Sequence, residues 1–187
     1  MPDNNLCPPE PLARIMAAVS ADQARGLVEI DAGLRRHPAD PRLRFLRGSV
    51  LAGLERYDEA REAMALAVEL APDFAVARFQ LGFLELTCGA AAAAEATWGP
   101  LDALPDTHYL RVLARGLRHL MRDEFAEAAA GLRRGMALNT ENPALNGDMQ
   151  LILDKLSADG LIDGAAKEPV SAAHLLLQRY SDKGGLN

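Results

Sequence analysis

The side chains in this sequence that could carry chemistry are four histidines, two cysteines and a few paired carboxylates. Their spacing assembles no reaction centre. His37, His108, His119 and His174 have no cysteine or carboxylate at ligand spacing, and a metal site needs several ligands converging on one point. His119 reads as the most inward of the four, and a packed or half-exposed imidazole accounts for it. Cys7 and Cys88 stand far apart with no Cys-x-x-Cys between them, so they read as free thiols of a reducing cytosol. Asp58-Glu59 and Asp123-Glu124 fall at helix starts, where the helix dipole favours carboxylates. Gly89 precedes an alanine run rather than the Lys-Ser/Thr of a phosphate loop, and there is no GxSxG. The reading is a chain that is not an enzyme and that has no catalytic, metal or cofactor residues.

A row of arginines offers recognition instead. Arg111, Arg115, Arg118 and Arg122 are spaced four, three and four, which places them on one face of a helix. Arg44, Arg47 and Arg78 lie on equivalent helices. The row reads either as a docking strip for an acidic peptide or as a charged face, solvated or paired with Glu on neighbouring helices. The second reading is the simpler.

The elements that must position these residues repeat. Gly48, Gly82 and Gly116 are 34 residues apart, as are Ala60, Ala94 and Ala128, and Leu70, Leu104 and Leu138. A fixed period of this length signals stacked helix hairpins. The copies are residues 41–74, 75–108 and 109–142. Small residues at the eighth and twentieth places let the two helices of a hairpin approach closely. Large ones at the twenty-fourth place (Met64, Trp98, Leu132) fill the remaining gap. Asp40-Pro41 is an N-cap followed by proline at the first helical place; Asp73 and Asp106 fall in like positions, and Asn142-Pro143 repeats the signal. Pro100 interrupts the second helix of copy two, which is expected to kink or end near Gly99.

The pattern resembles the tetratricopeptide repeat family. Copy one carries it most fully, with Gly48, Tyr57-Asp58-Glu59-Ala60, Ala67 and Leu70-Ala71-Pro72. Copy two keeps Leu81-Gly82, Ala94 and Trp98, and copy three Gly116, Phe125-Ala126-Glu127-Ala128 and Leu138. The resemblance implies an α-solenoid whose first helices line a concave groove. The groove places are Arg42, Phe45, Ser49, Ala52 and Gly53; Val76, Phe79, Phe83, Leu86 and Thr87; and Leu110, Leu113, Leu117, Leu120 and Met121. Members that grip a chaperone's C-terminal carboxylate have Lys, Arg and Asn at places five and nine. Phe45 and Ser49 stand there in this chain, so that activity is not expected. An apolar wall of this kind left wet forgoes several kcal/mol at about 25 cal/mol per Å². It is therefore either covered by a partner or closed by tight curvature or by the chain itself.

Length and composition are consistent with this. The chain has 187 residues and a net charge of −6, which argues against general nucleic-acid binding, where affinity comes from neutralising phosphates. With no run near the ~18 apolar residues of a spanning helix, a soluble cytoplasmic protein is expected. Residues 1–9 read as disordered. Residues 10–40 read as a degenerate capping hairpin, its first helix over 10–19 and its second capped by Ser20 with Gln23 as capping-box partner. Residues 143–156 read as a capping helix with Leu145, Met149, Ile152 and Leu156 inward, 157–169 as a linker, and 170–187 as an apolar helix and tail. A linker of that length spans roughly 40 Å when extended, so residues 170–180 could fill the groove in cis or in a second subunit.

The sequence therefore predicts an all-α fold of antiparallel helix hairpins, three 34-residue repeats with capping helices. The expected function is a non-enzymatic scaffold or adaptor holding a peptide or helix of another protein, with no nucleic-acid or membrane partner. The alternative is a bacterial secretion chaperone, since the chaperones of type III secretion translocators are similar in size, acidity and repeat number. The candidate binding residues are the apolar groove positions from Phe45 to Met121 together with Arg111, Arg115, Arg118 and Arg122.

Overall fold

A computed structural model describes residues 6–162. These residues form helices and no strand, in two compact units that divide after Leu84. The first unit holds α1 (Pro9–Ala21), α2 (Gln23–Arg36), α3 (Pro41–Gly53), α4 (Tyr57–Leu70) and most of α5 (Ala75–Thr87). Successive helices from α1 to α4 pack on one another. The second unit holds α6 (Ala91–Trp98), a 3-10 turn η1 (Gly99–Ala103), α7 (Tyr109–Leu120), α8 (Phe125–Leu138) and α9 (Pro143–Ala158). Here α7 packs on α8, α8 on α9, and η1 on both α6 and α7. The all-α architecture of helices packed in neighbouring pairs is the expected one.

The 34-residue period reappears in the backbone. Between the helices of each pair the chain turns through a left-handed residue: Glu55 (φ 61°), Gly89 (φ 81°) and Asp123 (φ 59°). Each turn closes with the same two hydrogen bonds. Arg56, Ala90 and Glu124 donate back to Leu51, Glu85 and His119 at 2.9, 2.8 and 3.0 Å. Glu55, Gly89 and Asp123 donate to Ala52, Leu86 and Leu120 at 3.1, 3.0 and 3.1 Å. This is a Schellman closure, which satisfies carbonyls left open at a helix end. The last turn, at Gly160 (φ 70°), closes the same way onto Leu156 and Ser157.

The glycines sit where the pairs cross. A Cβ on Gly48 would meet Ala60 O at 3.0 Å and collide with the Met64 side chain. On Gly116 it would lie 3.1 Å from Leu132 N and 3.2 Å from Gly131 C. Met64, Trp98 and Leu132, the large residues of the repeat, are fully buried. In the first unit Ile30, Leu34, Leu43, Leu51, Met64 and Leu81 join a single core.

Several local expectations are corrected. Ser20 lies inside α1, its hydroxyl bonded to Met16 O at 3.1 Å. Asp22 caps α2 instead, accepting from Arg25 N–H at 2.7 Å. A carboxylate two residues further on, directly before α2, offers the better-placed acceptor. Asp106 is not the cap of α7; His108 is, its Nδ1 accepting from Leu110 N–H at 3.3 Å. Pro100 does end α6, which stops at Trp98 and gives way to η1. The helix after Asn142 runs to Ala158, two residues into the expected linker, and Leu145, Met149, Ile152 and Leu156 are buried as expected. The expected helix over residues 170–180 lies outside the described residues.

Disorder does not extend through residue 9. Cys7 is buried, and its N–H donates to Asp40 Oδ2 at 2.7 Å while its carbonyl accepts from Arg42 at 2.7 Å. Asp40 is fully buried and also takes the Arg42 guanidinium at 2.7 Å and the Arg42 N–H at 2.9 Å. Burial works against its charge, but the Arg42 side chain and the Cys7 and Arg42 N–H groups outweigh it and hold the carboxyl below its usual pKa.

Two outcomes follow from these geometries. Glu55→Gly removes a Cβ penalty at positive φ and is expected to stabilise the chain by about 0.5–1 kcal/mol; an unchanged or lower urea midpoint would contradict the assignment. A depressed folded-state pKa gives stability that is present above the unfolded value and lost as pH falls through the folded one. Asp40→Asn keeps an N-cap but loses the charge, so it is expected to be less stable than the parent by about 1–2 kcal/mol at pH 7. That gap is expected to close on acidification from about pH 4 downward. A gap independent of pH in parallel urea titrations would rule out the ionised tie.

Candidate functional site

α7 carries most of the candidate residues, and its two faces divide them. One face repeats Leu110, Leu113, Leu117 and Leu120, spaced three, four and three. All four are at most 1% exposed. Leu113 packs onto α8, where a Cβ added to Gly135 would fall on its side chain. These leucines are therefore core, and the apolar wall expected to face a partner there is not a solvent-facing surface. Phe79 and Leu86 are likewise buried, while Phe45, Ser49, Phe83 and Met121 are half-buried. Phe45 meets Phe74 edge-on at 5.2 Å, and Phe79 stacks on Phe83 at 6.4 Å.

The arginine row also separates. Arg118 is buried, with its guanidinium on Asp102 at 2.8 Å and Glu95 at 3.1 Å. Because Pro100 breaks α6 there, η1 carries Asp102 to the α7 face. Arg111 donates to Leu104 O and pairs with Asp106 at 3.0 Å. Arg122 lies beyond the end of α7, in the turn, so it does not share the helix face as its spacing implied. Arg115 is exposed and reaches Asp106 only at 4.0 Å. Earlier in the chain, Arg44 and Arg78 each hold a preceding carbonyl, Pro38 O at 3.0 Å and Pro72 O at 2.9 Å, and Arg47 holds Asp31 at 2.9 Å. Partners within the molecule thus hold Arg111 and Arg118, while Arg115 and Arg122 are exposed.

What remains is a cleft of about 190 Å³ between α7 and α8. Its floor is the close approach of Gly116 and Gly131, where a Cβ on Gly131 would stand 2.9 Å from Gly116 Cα. Its walls are Arg111, Arg115 and His119 on the α7 side and Glu127 and Arg134 on the α8 side, with Asp106 at the rim. His119 Nδ1 is bonded to the Glu124 carboxylate. Tyr109, at the start of α7, has its pKa raised by burial and by the nearby charge of Glu141.

Reading the sequence missed Arg134, Glu127 and Gly131, which come to the cleft from α8. The signal was present: Gly131 and Gly135 stand four apart inside a helix, where each costs roughly 0.5–1 kcal/mol against Ala unless a neighbour needs the space. It also missed Asn139, a buried side chain that donates to Asn142 O and Asn146 Oδ1 and accepts from the Glu141 and Asn142 N–H groups. This joins the ends of α8 and α9.

No family model matches the chain, and no curated protein matches it. Among the described residues, no helix is long and apolar enough to cross a membrane, and no three His, Cys, Asp or Glu side chains are grouped to hold a metal ion.

Arg118→Ala is expected to cost about 1–2 kcal/mol, less than a fully buried pair, because Glu95 and Asp102 stay half exposed after its removal. Arg122→Ala is expected to stay within about 0.5 kcal/mol of the parent. Equal urea midpoints for the two variants would show that Arg118 is not a structural residue.

Proposed function

We propose that this chain is a non-enzymatic protein–protein interaction module of the tetratricopeptide type, an intracellular scaffold that holds a segment of another protein. The observation that carries this reading is the cleft between α7 and α8. Its guanidinium groups outnumber the carboxylates beside them, whereas Arg118 and Arg44, on the same kind of helix, already have partners within the molecule. The recurrent turns at Glu55, Gly89 and Asp123 support it too, since the same hairpin closure returns at the 34-residue period of such repeats. Phe45 and Ser49 on α3, half-buried in the first unit, are a separate candidate contact.

The test is residue-specific photo-cross-linking in the native cell extract, with benzoylphenylalanine replacing Arg115, Phe45 or, as an exposed control, Arg61. A discrete adduct from position 115 or 45 and not from 61 is expected. No adduct from either, or the same adducts from all three, would overturn the reading. A partner captured only while unfolded would move the assignment to the secretion-chaperone alternative.

A further inference from the structure

The cleft between α7 and α8 is chemically uneven in a way that specifies its occupant. Three guanidinium groups, Arg111, Arg115 and Arg134, face two carboxylates, Asp106 and Glu127. Asp106 is divided between Arg111 at 3.0 Å and Arg115 at 4.0 Å. The Arg111 Nε–H is buried in the wall without an acceptor. The side chains of Arg134 and Glu127 make no hydrogen bond or ion pair among the described residues. Donors therefore exceed acceptors, and a buried donor without an acceptor is costly.

Size narrows the choice. A volume of about 190 Å³ equals the liquid share of about six water molecules. It is large enough to take the end of one side chain. The backbones of Gly116 and Gly131 are in direct contact and close the cleft from below. A carboxylate matches the paired N–H geometry of arginine. A peptide also brings backbone N–H groups, for which the unpaired Glu127 carboxylate is an acceptor; a bare phosphate brings none.

We infer that the α7–α8 cleft is an anchor site for a single Asp or Glu side chain of an extended acidic peptide, held by Arg115 and Arg134 over the Gly116–Gly131 floor. This rests on the reading of the chain as a protein-binding module and names the class of partner.

The test uses the full chain and fluorescein-labelled hexaglutamate in low-salt buffer, followed by anisotropy. Hexaglutamate is expected to bind and hexaglutamine is not. Arg115→Glu and Arg134→Glu are each expected to weaken binding at least about tenfold, Arg115→Gln and Arg134→Gln less so, and Arg122→Glu and Arg61→Glu less than about twofold. Both cleft arginines are exposed, and unchanged thermal melting of the variants separates lost binding from lost folding. Absence of hexaglutamate binding, or equal weakening by Arg61→Glu, overturns the inference. Displacement by equimolar inorganic phosphate also overturns it, in favour of a small-anion site. If a partner cross-links at position 115 but hexaglutamate does not bind, the module reading stands and this one falls. If hexaglutamate binds through Arg115 and Arg134 but no partner cross-links, the cleft stands as a carboxylate-binding site and its assignment to a protein partner falls.

Discussion

Two helices joined by a short turn share a core only if their backbones can approach, and in this chain glycine sets that approach. Gly48 lies against Ala60 and Met64, and Gly116 against Gly131 and Leu132. At such crossings the loss of a single Cβ lets the large twenty-fourth side chain slide into the gap. Met64 and Leu132 are fully buried at these two crossings for this reason. The turn geometry follows from the same demand. A left-handed residue at the fifteenth place reverses the chain within one residue, so the second helix starts close enough to make the glycine contact. Glu55 and Asp123 accept an unfavourable backbone conformation there because the crossing on either side fixes it.

What the sequence made legible was whatever depends on local chemistry and period. The hairpins, the Asp40 and Asn142 caps, the break at Pro100 and the inward face of α9 all follow from spacing or from single-residue conformational limits. What it hid depends on where a side chain's partner lies. Leu110, Leu113, Leu117 and Leu120 read equally well as a groove or as a core, because periodicity identifies an apolar face without saying what covers it. Arg118 and Arg122 look alike in a row, yet one reaches Asp102 and Glu95 and the other leaves the helix altogether. The buried Cys7 was illegible for a related reason. Its anchor, Asp40, lies 33 residues away, and nothing in a short polar N-terminal stretch announces it.

The proline in α6 shows how a break in the pattern is absorbed. A helix of eight residues replaces the fourteen of α4 and α8. The chain continues as η1, which packs on α7 and supplies Asp102 to Arg118. A buried cation that would be costly alone is thereby paired. The same departure carries Leu104 O and Asp106 to Arg111, so one wall of the α7–α8 cleft is built from the consequences of Pro100.

The guanidinium groups of Arg44 and Arg78 sit on the carbonyls of Pro38 and Pro72, just past the ends of α2 and α4. The last turn of a helix carries partial negative charge, and a cation there is favourable. Each hairpin of the first unit thus has the polarity of its C-terminal end answered by a side chain of the next. A hairpin excised from its successor would keep all its internal packing and still lose this compensation. Such an arrangement behaves as a nearest-neighbour chain, in which the stability of one repeat is partly held by the sequence of the repeat that follows it.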